Sequence, residues 1–240
     1  MITLGVIGVV AALTIPNAFS EYKKHVTVNK LRHTLALLKT AEGMAVQEYG
    51  DIRNWDFINL DYSSSHTINA SVVNKYYFPY LKTQKCNYSA HVTSSKGVVF
   101  IDVRDDNYVC LPDGVVLYGN TLGVGYLGTI LYADLNGMRG PNVVGKDIFT
   151  FLINRPIYKS DDYNTSSYRV VKCPVGISTC FAGPYQGAAG YYWEGDEATL
   201  IKYCSDGSGN VSTQQNEGNS CSHMIELAGW KIPKNYPINF

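Results

Sequence analysis

Four oxygen-bearing side chains fall inside one short stretch, Asp134-Leu-Asn136-Gly137-Met-Arg-Gly140-Pro141-Asn142-Val-Val-Gly145-Lys-Asp147. Hard oxygen ligands on a folded-back loop are what a calcium ion takes, and the glycines let backbone carbonyls turn inward beside them. Asp134, Asn136 and Asp147 are therefore the candidate calcium ligands, with Asn142 close by. The spacing departs from the EF-hand, which needs a further Asp or Asn at its fifth loop position and a glutamate at its twelfth. Asn and Asp also cap tight turns by bonding their own backbone, the commoner use of such residues. Calcium is the only cofactor the chain suggests.

The second set of reactive groups is sulfur. Cys86, Cys110, Cys173, Cys180, Cys204 and Cys221 all lie beyond the first fifty residues, and an even number in an exported domain implies disulfides. Six cysteines allow 15 pairings. The sequential set, Cys86 with Cys110, Cys173 with Cys180 and Cys204 with Cys221, closes three local loops and is the expected one. The last would clamp the Gly- and Ser-rich span after Cys204, a closure typically worth about 3 kcal/mol. A zinc site at Cys204, Cys221 and His223 is the rival use, but no C-x-x-C pair supports it.

Catalytic constellations are not legible. The chain has no G-x-S-x-G, H-E-x-x-H or P-loop. His25, His33, His66, His91 and His223 are scattered and read as surface or turn residues. Glu194, Asp196 and Glu197 beside Tyr191, Tyr192 and Trp193 suit either a carbohydrate-contacting surface or a solvated acidic loop. No enzyme is expected. With 20 basic against 20 acidic residues, and no basic cluster beyond Lys23-Lys24, bulk charge forecasts no nucleic-acid partner.

The elements that must position these groups begin with a rod. Residues 1–19 carry no charge, and at about 1.5 Å per helical residue they run roughly 27 Å, slightly short of the ~30 Å core of a bilayer. Beyond them Val28, Leu31, Leu35, Leu38, Ala41, Ala45 and Tyr49 fall at three- and four-residue steps, one apolar stripe of a continuing helix. Lys24, Lys30, Arg32, Lys39 and Glu48 lie off it. Gly50 is its expected stop. The rest, with 19 Tyr and 22 Gly in the chain, reads as strands and loops. After a loop holding Trp55 and Phe57, residues 70–80 suit a short helix or irregular segment ended by Pro79. Strands are expected at 97–102, 108–110, 115–118, 129–133 and 148–153, as an antiparallel meander against the helix. Asp113-Gly114 marks a hairpin between two of them. Residues 154–218 read as loop-rich, and the tail after Cys221 as a short helix closed by Gly229, with Trp230 packing back.

The opening run Ile2-Thr-Leu-Gly-Val-Ile-Gly-Val-Val-Ala-Ala-Leu-Thr-Ile-Pro16 resembles the start of type IV pilins and type II secretion pseudopilins, specifically in the order of Gly8, Ala11, Ala12 and Pro16. In that family the run follows a phenylalanine, a few apolar residues and a glutamate, which here would lie upstream of Met1 with the leader peptide. The chain is thus expected either to start at an internal Met or to be a fragment. The resemblance covers about the first fifty residues.

It implies an α+β fold in which a long N-terminal helix packs on an antiparallel sheet. Residues 1–20 would be a transmembrane and filament-core helix, 21–50 its amphipathic continuation, and 51–240 a disulfide-stapled head. It further implies a structural subunit of a pilus-like or pseudopilus-like filament, held in the bacterial inner membrane before assembly and extracellular or periplasmic afterwards. Its partners would be copies of itself, other pilin subunits, membrane lipid and the prepilin peptidase that acts on the precursor. A loop for calcium in the head is known among major pseudopilins. The alternative is a membrane-anchored or secreted binding module, with an adhesin-like or lectin-like head.

Overall fold

The computed structural model describes residues 2–55, 70–95, 97, 99–103, 108–120, 129–154, 173–180, 185–186, 189–190, 196–205, 218 and 220–240. At 2–11, 13, 70–71, 99–103, 119–120, 129, 185–186 and 189–190 it describes the backbone alone. Helix α1 runs unbroken over Ile2–Tyr49 with Pro16 inside it, a rod about 70 Å long at 1.5 Å per residue. Proline lacks the N–H that would bond the carbonyl of Ala12, so the helix passes this point with one backbone bond fewer. Among the described residues, no helix is long and apolar enough to cross a membrane.

The expected stripe is the buried face of α1. Leu31, Leu38, Ala41 and Ala45 are fully buried, Val28 and Leu35 nearly so. Tyr49, 41% exposed, caps the stripe by setting its ring edge-on to Tyr76, centroids 5.2 Å apart. Thr34, also buried, joins this face because its hydroxyl donates to the carbonyl of Lys30 at 2.8 Å. The helix ends where Gly50, at φ 78°, takes the left-handed conformation and its N–H closes on the carbonyl of Val46 at 2.9 Å.

The partner of the stripe is a five-stranded antiparallel meander of β3 (Tyr108–Cys110), β4 (Val116–Asn120), β5 (Thr129–Asp134), β6 (Ile148–Asn154) and β7 (Gly176–Ser178), in that order. The hairpin between β3 and β4 turns at Asp113-Gly114, as its sequence predicts. Every residue of the interior strand β6 is buried, which is why it reads as an unbroken apolar run rather than an alternating one. Leu117, Leu131, Phe149, Phe151 and Ile153 face the same core as α1. The opposite face carries Val116, Tyr118, Tyr132 and Ile148 in a second, smaller core with Tyr88, Ala90 and Val92. Tyr88 leads into β1 (Ala90–Thr93), which pairs with β2 (Val99–Val103) as a separate hairpin.

Helix α2 (Ala70–Tyr76) is followed by a 3-10 turn over Phe78–Tyr80. Pro79 sits in the first turn of that 3-10 helix, so it opens a turn instead of ending one, as its fixed φ and missing donor allow. Much of the span 154–218, expected to be loop-rich, lies outside the described residues. The described parts include β7, the small pair β8 (Tyr185–Gln186) and β9 (Ala189–Gly190), and helix α3 (Glu197–Cys204). These elements are too short to give a periodic signal. Helix α4 (Cys221–Leu227) closes at Gly229, and the N–H of Trp230 returns to the carbonyl of Ile225 at 2.9 Å, as the tail predicts.

Two polar joints fix α1 to the sheet. Lys30 donates to the carbonyls of Leu135 at 2.7 Å and Asp113 at 3.3 Å. Glu42 accepts from the hydroxyl of Tyr77 at 2.5 Å and from the N–H of Ile177 on the edge strand β7 at 2.6 Å. Gly176 permits this approach: a Cβ there would lie 2.5 Å from the Glu42 carboxylate, and its φ is 89°. Burial raises the Glu42 carboxyl above its ordinary range against those two bonds.

Leu38→Ala is expected to lower the unfolding free energy by about 2–5 kcal/mol in urea titration. Arg32→Ala, on the exposed side of the same helix, should stay within about 0.5 kcal/mol.

Candidate functional site

The structure brings Asp134, Asn136, Asn142 and Asp147 together at the end of the sheet. Asp134 is the last residue of β5 and Asp147 immediately precedes β6, so the antiparallel pairing that joins Asp134 to Ile148 sets their backbones side by side. The side chain of Asn136 bridges inward and donates to Asp147 at 3.0 Å.

Both carboxylates are buried, Asp134 fully and Asp147 to 6% exposure. One oxygen of Asp134 accepts from the backbone of Asn136 at 3.0 Å and Gly137 at 2.8 Å, and the other from the hydroxyl of Tyr88 at 2.7 Å. Asp147 accepts from the N–H of Val143 at 2.6 Å, and on its other oxygen from Asn142 at 2.9 Å and the Asn136 amide. All four carboxylate oxygens thus hold N–H or O–H donors, the arrangement of turn capping. Burial pushes the Asp134 carboxyl up to about 6 against those hydrogen bonds, and burial likewise raises Asp147.

The side-chain oxygens of Asn136 and Asn142 are buried and accept no hydrogen bond among the described residues. They are the lone pairs left to a cation. No group of three or more His, Cys, Asp or Glu among the described residues is placed to hold a metal. The donor set therefore fits capping better than calcium coordination. Beyond this frame the tip projects outward, with Met138 63% exposed.

The cysteines pair Cys86 with Cys110, Cys173 with Cys180 and Cys204 with Cys221. The zinc reading fails on this observation, since the two sulfurs it needs are bonded to each other. The first bridge ties the segment before β1 to β3, the second closes a turn around β7, and the third joins the end of α3 to the start of α4.

His223 corrects the view of the histidines as surface or turn residues. It lies on α4 at 9% exposure, its Nδ1 3.3 Å from the hydroxyl of Thr179, which donates to Glu226. The carboxylate of Glu226 also lies 3.9 Å from the same nitrogen, and the neighbouring His223 lowers its titration. Hydroxyl and carboxylate converge on one ring nitrogen. A base triad needs them on opposite nitrogens, so the group is a packed polar joint, with Thr179 itself 1% exposed. The helical spacing of His223 and Glu226 was the sequence signal for it. His25, His33 and His91 are exposed, and His66 lies outside the described residues. Asp196 caps α3 by accepting from Thr199 at 2.8 Å, and Glu197 opens that helix. Tyr191, Tyr192, Trp193 and Glu194 lie outside the described residues.

Of the filament-core residues implied by resemblance, Ala12 and Pro16 are exposed on α1. Gly8 and Ala11 fall on its backbone, with side chains outside the described set. From there to Val26 the helix presents apolar groups to solvent: Ile15 is 63% exposed, Phe19 57% and Tyr22 64%.

These features define an α+β head with a long helix that buries one face from Val28 onward and exposes Ile15, Phe19 and Tyr22 before it. Residues 18–240 match the model of a family of unknown function, DUF6613, and the chain belongs to that family. No curated protein and no solved structure matches it.

The raised Asp134 carboxyl has a signed consequence. The folded state holds its proton up to about pH 6, the unfolded state only to about 3.9. Stability should therefore fall as pH rises from about 4 to about 6, and Asp134→Asn should flatten that slope in pH-dependent urea denaturation. Asp147→Ala, which strands three donors, should cost about 3 kcal/mol. Millimolar calcium is expected to leave the melting temperature unchanged; a rise reversed by EGTA would make the loop a cation site.

Proposed function

We propose that the chain is a structural subunit of a filament of the type IV pilin or type II pseudopilin kind. The observation that carries this reading is the excess of helix over head. Helix α1 is continuous from Ile2 to Tyr49, yet among the residues whose side chains are described its buried face begins at Val28. The head alone gives no reason for the first half to be apolar. A soluble domain that exposes Ile15, Phe19 and Tyr22 on one rod leaves an apolar surface that calls for a covering partner.

In this reading the rod sits in the membrane before assembly and among neighbouring rods afterwards. Pro16 supports it. The missing backbone donor is a weak point that neighbouring helices can shield once the filament forms. The disulfides suit the same account, because they staple a head that works outside the cell. The protein would then act by packing and not by catalysis, which agrees with the capped geometry of the Asp134–Asp147 loop.

Expression of the gene with its upstream sequence, in a host carrying a pilus or type II assembly apparatus, should yield sheared surface filaments that contain this subunit. A monomeric surface or secreted head would favour the binding module instead. Replacing both Gly8 and Pro16 with alanine should leave the melting temperature of the head unchanged while altering filament yield or elasticity. Filaments equal to wild type in both would make the segment a plain anchor.

A further inference from the structure

Asn136-Gly137 is the one Asn-Gly pair in the chain, and such a pair has a chemistry of its own. The backbone nitrogen that follows an asparagine can attack the carbonyl carbon of its side chain, and a glycine, having no Cβ, leaves that approach open. A bond forms between this nitrogen and Cγ, the Cγ–Nδ2 bond breaks, and ammonia leaves with the proton given up by the backbone nitrogen. Water then opens the five-membered imide. The products are aspartate and isoaspartate, a neutral amide exchanged for a carboxylate with water as the only co-reactant.

The fold occupies both partners of this reaction. The attacking N–H, that of Gly137, donates to Asp134 at 2.8 Å, and the N–H of Asn136 donates to the same oxygen at 3.0 Å, which fixes the backbone between them as a turn. The leaving amide of Asn136 is held by Asp147 at 3.0 Å. Each carboxylate is anchored in its turn, Asp134 by the hydroxyl of Tyr88 and Asp147 by the N–H groups of Asn142 and Val143. Gly137 is confined as well. Its φ is 64°, and a Cβ there would lie 2.8 Å from the carbonyl oxygen of Gly114 in the β3–β4 hairpin. For Cγ to reach the nitrogen, the bonds to Asp134 and to Asp147 must open together.

We infer that Asn136 is a self-modification site, silent while the Asp134–Asp147 frame is closed and converted once the frame opens. The converted chain cannot rebuild the frame. Where the Asn136 amide donated to Asp147, two carboxylates now meet in a buried loop, and like charges there oppose each other's ionisation. Isoaspartate also adds a carbon to the backbone between the two N–H groups that Asp134 caps. The site therefore marks, irreversibly, a copy whose loop has been open, in a head whose disulfides otherwise keep its segments together. This does not depend on the filament reading.

The test is peptide mapping by mass spectrometry of the full chain, aged in mild detergent with and without urea. Asn107, Asn120 and Asn136 share one tryptic peptide, residues 105–139, so the first two, followed by Tyr and Thr, are internal controls. Asn136 should convert in urea and be slowed about a hundredfold or more in the folded chain, where reaction waits on local opening. Asp147→Ala should raise the folded-state rate about tenfold, whereas Leu38→Ala, which weakens the main core, should leave it nearly unchanged. Asn136→Asp should melt close to the unsubstituted chain at about pH 3, where its carboxyl is protonated and still donates, and well below it at about pH 7. That comparison decides the matter if Asp147→Ala does not fold. Conversion as fast in the folded chain as in urea would overturn the inference, and faster conversion would make Asp134 a base for the attack instead of its restraint. A rate raised as much by Leu38→Ala as by Asp147→Ala, or an Asn136→Asp chain as stable as the unsubstituted one at neutral pH, would overturn it equally.

Discussion

Everything in the head depends on the seam between the second half of α1 and the face of the sheet that carries Leu117, Leu131 and Phe149. Leu31, Leu38, Ala41 and Ala45 leave water completely there, against Leu117, Leu131, Phe149 and Phe151. Each large side chain buried in this way contributes on the order of 1.5–3 kcal/mol. Alanines at 41 and 45 let the helix approach β7 closely enough for Glu42 to reach the N–H of Ile177. That bond occupies an unpaired donor on an edge strand, which would otherwise invite another chain to pair. Packing and edge protection are thus set by the same helix register.

The far face of the sheet answers a second constraint. Buried aromatic rings from adjacent strands stack, Tyr118 on Tyr132 with centroids 5.4 Å apart, and Tyr88 reaches over them to bond Asp134. The loop from Asp134 to Asp147 is held from within by this bond and by five others to the two carboxylates. Its rigidity comes from capped turns, so the exposed Met138 tip is presented on a fixed frame. The raised titration of Asp134 follows from the burial that makes the frame rigid.

The two halves of α1 obey different rules. From Val28 onward the helix is amphipathic in relation to its own head. Before it, Ile15, Phe19 and Tyr22 are exposed, with Lys23 over the ring of Phe19 and Lys24 paired with Glu21. In the proposed filament, neighbouring subunits would cover the exposed apolar groups of the rod while the disulfides keep the head intact.

The sequence by itself determined the local, periodic and covalent features. The stripe from Val28 to Ala45 was legible because helical spacing repeats over many turns. The strands β3 to β6 were legible because β-branched and aromatic runs alternate with clear turn residues such as Asp113-Gly114. The disulfide pairs followed from proximity along the chain. Tertiary structure alone decided what each polar side chain does. Whether Asp134, Asn136 and Asp147 bind a cation or cap a loop depends on which donors face them, and Tyr88, 46 residues away from Asp134, is one of those donors. His223 read as a surface residue until α4 folded it beneath Thr179. Glu42 carries no local signal, and its role appears only where β7 offers it an N–H. These are long-range meetings of single residues, and single residues leave no period in a sequence.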